Sequence, residues 1–168
     1  PPTFIPLVLL FGLLPAGVAT WAWVVGLLAA FAVGVAVMPV GRTVKWWVVL
    51  LAGLSWPFLY AIKLGQVGPL LFLLMAIGWR WMDRGPVLGV SGALGAAVKI
   101  QPGLILAWAL LTRRWAAVVS GAVMLATLAL LATLVAGFGA WTDFLALITR
   151  VSDPITTPHN FTPGAVAH

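Results

Sequence analysis

The chain has no cysteine and very little charge. Only 7% of its 168 residues are Asp, Glu, Lys or Arg, and only three of these are acidic. The lack of cysteine excludes a disulfide framework and a thiol site. Two histidines and three carboxylates stand apart from one another in the sequence, so we expect no metal site and no other cofactor. The apolar runs also lack the two-residue alternation of a transmembrane β-barrel.

Apolar residues fill nearly the whole length of the chain. They make up 63% of it, and the mean hydropathy is +1.15. This composition predicts an all-α, polytopic helical membrane protein in which residues 1–168 form a single transmembrane domain. The net charge of +6 is spread among the apolar runs, so it indicates membrane topology and contact with membrane lipids, not nucleic-acid binding. Because the chain opens on Pro1 and stops at His168 inside a polar stretch, we expect a fragment truncated at both ends.

Prolines, glycines and arginines divide the apolar sequence into seven predicted helical segments. Three are long enough to cross a bilayer, and the other four are short, which predicts partial, broken or re-entrant helices. The segments are 4–14, 16–38, 46–62, 69–79, 87–98, 103–111 and 115–136. Residues 137–168 follow as a long outer loop, in which 141–148 has the pattern of an amphipathic interfacial helix.

The charges divide unevenly between the two sides if these segments alternate across a membrane. One side receives six cations and the other only three, and the positive-inside rule places the first side in the cytoplasm. We therefore expect a multi-pass protein of the plasma (inner) membrane whose loop 137–168 lies outside. The first set is Arg42, Lys45, Arg80, Arg84, Arg113 and Arg114, and the second is Lys63, Lys99 and Arg150.

Two lysines carry the main functional signal. Lys63 is followed by Gln66 and Lys99 by Gln101, and each pair precedes a short helix with a proline at its start. A cation inside a membrane segment is costly and is usually found facing a cavity or a partner. Each lysine lies 14 to 17 residues from an arginine corner, which spans about 20 to 26 Å of helix against a hydrocarbon core of roughly 30 Å. We expect both lysines to line a hollow open to the outside and to bind an anion such as a phosphate.

Other interpretations of these residues stay open. A lysine near a helix end also extends its ammonium group to the interface, and Gln66 can serve as a helix-packing amide. The lysine–glutamine–proline unit occurs twice, in 46–84 and 86–114, and repeats around a central site are familiar from transporters. A transporter or flippase for an anionic or lipid-linked substrate is therefore the alternative to an enzyme.

The predicted outer loop ends in a second group of polar residues. His159 is a candidate general acid or base, or a sugar contact, and it is the one catalytic candidate inside the chain. Asn160 and Thr162 beside it are candidates for binding a sugar or an acceptor. A solvated loop without a catalytic role is the competing interpretation of all three.

Several of these motifs together resemble glycosyltransferase family 87. The most specific stretch is Lys-Ile-Gln-Pro at 99–102, followed by an apolar run and Arg-Arg-Trp at 113–115. The Gly-Gln-Val step at 65–67 and the short helix 4–14 before a tryptophan-containing span also resemble that family. Residues 159–164 look like a divergent form of its Asn-Gln-Ser loop, with Phe161 and Thr162 in place of the glutamine and serine.

The resemblance implies a GT-C-type fold with several short or broken transmembrane helices. It implies transfer of a mannosyl (hexosyl) unit from a polyprenyl-phosphate donor to a glycolipid or polysaccharide acceptor of a bacterial envelope, on the extracytoplasmic face. Lys99, Gln101, Lys63 and Gln66 would then bind the donor phosphate. The family's general-base aspartate is expected upstream of Pro1.

Overall fold

The computed structural model describes residues 1–150, which contain nine α-helices, two 3-10 turns and no strand. This confirms the all-α prediction; His159, Asn160 and Thr162 lie outside the described residues. A 3-10 turn at Pro2–Phe4, called the N-terminal turn below, precedes α1, and another at Gln101–Gly103 precedes α7. The helices are α1 Ile5–Gly12, α2 Ala16–Val37, α3 Arg42–Leu51, α4 Trp56–Lys63, α5 Gly68–Arg80, α6 Gly85–Val98, α7 Leu104–Leu111, α8 Trp115–Ala136 and α9 Gly139–Arg150.

Within residues 1–150, helices α2 and α8 are the two that are long and apolar enough to cross a membrane by themselves. Each has 22 residues, which corresponds to about 33 Å at about 1.5 Å per residue. The apolar helices α5, α6 and α7, and α1 with its preceding turn, are too short for a full crossing. The prediction of several short or broken transmembrane helices is therefore confirmed.

The predicted span over 46–62 is bent in the middle, although its two halves together are long and apolar enough to cross a membrane. The structure divides this stretch into α3 and α4, whose axes differ by 66°. Pro57 lacks the N–H that would continue the ladder of α3, and the Ser55 hydroxyl instead accepts the Phe58 N–H at 3.4 Å as the cap of α4. The Ser-Trp-Pro sequence at 55–57 is itself a helix-start signal that the length of the apolar run obscured.

Helix α6 forms the centre of the bundle and packs against α8 on one side and α5 on the other. Its contact with α8 is close because small residues face each other. A Cβ atom on Gly89 would overlap the Ala117 carbonyl oxygen, and one on Gly121 would lie 3.1 Å from the Gly89 carbonyl oxygen. Between helices surrounded by hydrocarbon, such small residues allow the backbone approach that supplies van der Waals packing. Helix α2 then packs on α5, giving the order α2, α5, α6, α8.

The cations of the arginine-rich corners lie at one end of this bundle. Lys45 and Arg80 line one cavity there. Arg114 donates from Nη1 to the Met82 carbonyl oxygen at 2.8 Å, and its guanidinium carbon lies 4.7 Å from the centroid of the Trp108 ring. These contacts join the corners that precede α3, α6 and α8. Lys63 is the last residue of α4, and Lys99 follows the end of α6 that lies away from these corners.

Candidate functional site

Lys63 is the last residue of α4, and the chain turns immediately after it. Gly65 adopts the left-handed conformation with φ 65°. The Gly65 N–H donates to the Ile62 carbonyl oxygen at 3.0 Å, and the Gln66 N–H donates to that of Ala61 at 2.8 Å. These two bonds form a Schellman motif, which satisfies the last carbonyl groups of the helix. Residues 63–66, called the Lys63 turn below, therefore have a defined backbone that exposes the Lys63 and Gln66 side chains.

Trp23 of α2 connects the Lys63 turn to the bundle by a hydrogen bond. Its indole Nε1 donates to the Gly65 carbonyl oxygen at 2.8 Å. The ring also meets Phe4 and Phe11 edge-on, with centroid distances of 6.2 and 5.4 Å. Sequence reasoning missed this residue. The available signal was a tryptophan on a long span far from the arginine corners, where the other paired tryptophans lie.

Lys99 follows the last residue of α6 and has left the helix. Its backbone is extended, with φ −141° and ψ 138°, while its N–H still donates to the Gly95 carbonyl oxygen at 2.9 Å. Pro102 explains the break because it lacks an N–H and is buried against α6, where a Cβ on Gly95 would lie 2.7 Å from it. Residues 99–103 are called the Lys99 turn below. Lys99 and Gln101 are exposed on it.

The N-terminal turn joins both lysine turns. Thr3 donates from Oγ1 to the Ala97 carbonyl oxygen at 2.6 Å, two residues before Lys99. This bond satisfies one of the carbonyl groups left free in the last turn of α6. Phe4, the next residue, contacts the Trp23 ring that holds Gly65. Both lysine turns therefore lie at the same end of the bundle, on either side of residues 2–4.

An apolar groove begins beside these turns, between α1 and α2. Its volume is about 340 Å³, and Phe4, Phe11 and Trp23 form its aromatic wall, with Leu7 and Val8 along α1. The groove reaches the Lys63 turn through Trp23, whose indole nitrogen contacts Gly65. An apolar groove whose wall residues contact a turn with an exposed lysine matches a ligand with a hydrocarbon tail and an anionic head.

Helix α9 lies at this end as well. It contacts the N-terminal turn, and Trp141 donates from Nε1 to the Thr133 hydroxyl of α8 at 3.0 Å. The prediction of a helix over 141–148 is confirmed, and the helix is longer at both ends. Within residues 1–150 no group of three or more His, Cys, Asp or Glu residues could hold a metal ion. Asp143 is exposed on α9 and Asp83 is exposed in the corner after α5.

The comparison with protein families agrees with the motifs. The model of glycosyltransferase family 87 matches residues 1–168, which is the whole chain. The comparisons with curated proteins and with solved structures find no match. The family match covers the two lysine turns, the Arg-Arg-Trp corner and the region of His159 in one alignment. The chain therefore belongs to glycosyltransferase family 87.

Proposed function

We propose that this protein, with its upstream residues, transfers a mannosyl (hexosyl) unit from a polyprenyl phosphate to an envelope glycolipid or polysaccharide. We place the reaction on the extracytoplasmic face of the plasma membrane. Family membership supports a membrane glycosyltransferase. The observation that carries the finer proposal is the junction of two exposed lysines and an apolar groove around the N-terminal turn.

The Lys99 turn is the proposed site of the donor phosphate. During transfer, the acceptor oxygen bonds to the anomeric carbon while the bond from that carbon to the phosphate oxygen breaks. The bonding electrons stay on the phosphate, so its negative charge grows. The Lys99 ammonium group, with the Gln101 amide, would stabilise this charge more than it stabilises the bound donor. Lys63 and Gln66 would contribute to the same site from the other side of the N-terminal turn.

The acceptor hydroxyl must lose a proton in the same reaction. We assign this proton to the aspartate expected upstream of Pro1, as the family resemblance implies. His159 stays a prediction for an acid–base or sugar-binding role, and Asn160 and Thr162 stay predictions for the sugar or acceptor. All three follow α9, which contacts the N-terminal turn.

The groove between α1 and α2 is the proposed path of the polyprenyl tail. Apolar side chains line it, so a prenyl chain that moves there from the bilayer would exchange lipid contacts for van der Waals packing against the protein. The head of such a ligand would then lie beside the Lys63 turn. Substituting Val8→Trp should weaken use of a long-chain donor more than that of a short-chain analogue.

A direct assay separates transfer from transport. Full-length protein in vesicles receives polyprenyl-phosphate mannose labelled in the sugar, and the label is followed in glycolipid products. We expect labelled product with wild-type protein, little with Lys99→Ala, and normal amounts with Arg84→Ala, which removes an exposed cation at the opposite end. Label that crosses the bilayer but stays on the original carrier would instead support a flippase.

A further inference from the structure

A second cationic site lies at the opposite end of the bundle, where α2, α3 and α5 meet. A cavity of about 360 Å³ is lined there by Lys45 and Arg80, with Pro39 and Trp81 as walls. An adjoining groove of about 340 Å³ runs between α2 and α3. Lys45 and Ala36 line both spaces, so the polar cavity and the groove lie side by side. We call this region the Lys45 corner.

The groove of the Lys45 corner is apolar inside and cationic at its mouth. Phe31, Val35 and Val49 line its interior, while Arg42 and Trp46 lie on the first turns of α3 near its opening. Among the described residues, no carboxylate lines either space. Interfacial tryptophans next to basic residues are typical of the level at which phospholipid headgroups lie.

Lys45 has hydrogen-bonding capacity left for an anion. The ammonium group donates to the Ala36 carbonyl oxygen in the last turn of α2, which uses one of its three N–H donors. Its side chain is half-buried, whereas Arg80 at the end of α5 is exposed. A helix C-terminus thus holds the ammonium group, two of whose N–H donors have no partner within residues 1–150. A planar guanidinium on the same cavity can bind a phosphate in a bidentate manner.

We propose that the Lys45 corner binds an anionic phospholipid. Its phosphodiester lies between Lys45 and Arg80, and one acyl chain occupies the groove along Phe31 and Val49. The apolar groove beside the cationic cavity favours a lipid over free phosphate, because a small anion would leave the groove unused. Basic pockets between transmembrane helices are known to hold lipid headgroups. This site is independent of the proposed donor site, since it lies at the other end of the bundle.

Retention of lipid by the purified full-length protein tests this proposal. Protein in detergent is incubated with phosphatidylglycerol or phosphatidylcholine, and bound lipid is counted by native mass spectrometry. We expect one phosphatidylglycerol per chain to be retained in preference to phosphatidylcholine. Lys45→Gln should lower its apparent affinity about fivefold, the effect of one basic residue near an anionic lipid, while Arg84→Gln, a cation outside both spaces, should not.

A second variant tests the acyl-chain groove without changing charge. Val49→Trp fills the groove and should reduce retention as strongly as Lys45→Gln, provided that helicity and melting temperature match the wild type. Lys45→Arg keeps the positive charge and should retain phosphatidylglycerol more strongly than Lys45→Gln does. Equal retention of the two lipids, or wild-type retention in Lys45→Gln, would overturn the proposal. Displacement of the bound lipid by inorganic phosphate alone would assign the corner to a free anion and also overturn it.

Discussion

The Lys63 turn and the Lys99 turn have similar sequences and different backbones. Helix α4 includes Lys63 and ends through a left-handed glycine with two closing hydrogen bonds. Helix α6 ends before Lys99, which is extended and is followed by a 3-10 turn. The similarity of residues 46–84 and 86–114 therefore does not extend to the conformation of the two turns.

This difference in backbone gives the two lysines different explanations: Lys63 has a structural role in its helix, and Lys99 has none. A cation in the last turn of a helix interacts favourably with the free carbonyl groups, so Lys63 has a local role in stabilising α4. Lys99 lies outside the helix, in a segment where the Ala97 carbonyl oxygen is already satisfied by Thr3. An exposed lysine without such a local role is better explained by a ligand. We therefore regard Lys99 as the stronger phosphate-binding candidate.

Loss of the Lys99 ammonium group should have the largest effect. Lys99→Ala in the full-length protein should reduce transfer about 100-fold, the typical cost of removing one donor that stabilises developing charge. Turnover of polyprenyl-phosphate mannose measures this, with expression and melting temperature as controls for folding. Lys99→Arg keeps the charge and should recover part of the activity. Activity equal to wild type in Lys99→Ala would remove the proposed phosphate role.

Substituting Lys63 should have a smaller effect on the same reaction. Lys63→Ala should lower transfer about tenfold, because one charged hydrogen bond to the donor is worth about 1.5 kcal/mol. It should also lower stability by about 0.3–1 kcal/mol through the C-terminus of α4. If Lys63→Ala proves more damaging to transfer than Lys99→Ala, the ranking of the two turns is reversed.

The Lys63 turn should depend on glycine, unlike an ordinary helical position. Gly65→Ala should destabilise the protein by about 1–2 kcal/mol, because φ is positive and the new Cβ would lie 3.3 Å from the Trp23 indole nitrogen. Gly26→Ala in α2 is the matched control, since a Cβ there has no neighbour within 4 Å. That change should be neutral or stabilising in thermal unfolding. Equal melting temperatures for the two variants would contradict the tight Lys63 turn.

The end of α7 has the same backbone geometry as the Lys63 turn, but an arginine occupies the left-handed position that glycine favours. Arg113 has φ 57°, the only positive φ of a non-glycine residue within 1–150. The Arg113 and Arg114 N–H groups donate to the carbonyl oxygens of Leu110 and Ala109, at 3.1 and 2.8 Å. Arg113→Gly should relieve this strain and raise stability by about 0.5–1 kcal/mol, with transfer unchanged. A lower melting temperature would show that the Arg113 side chain is itself stabilising.

Much of the fold was predictable because the signals that end membrane helices are local. Pro69 and Pro102 mark the starts of short helices, and the arginine corners mark the ends of others. The 66° break between α3 and α4 was not predicted, since an uninterrupted apolar run conceals a cap at Ser55. The lysines and glutamines of the candidate site were identifiable because burying such polar side chains in a membrane costs free energy. Thr3 and Trp23 carry no such cost, so the sequence did not point to them.

The sequence by itself determined the helical membrane class, the helix breaks at Pro69 and Pro102 and the family, because composition, prolines and contiguous motifs carry that information. Only the tertiary structure decided which turns meet. The contacts that join them link Thr3 to Ala97 and Trp23 to Gly65, across 94 and 42 positions of the chain. Helices that are apolar on all sides give no periodic signal of the face that packs. The junction at the N-terminal turn and the Lys45 corner therefore emerge only from the packing of the helices.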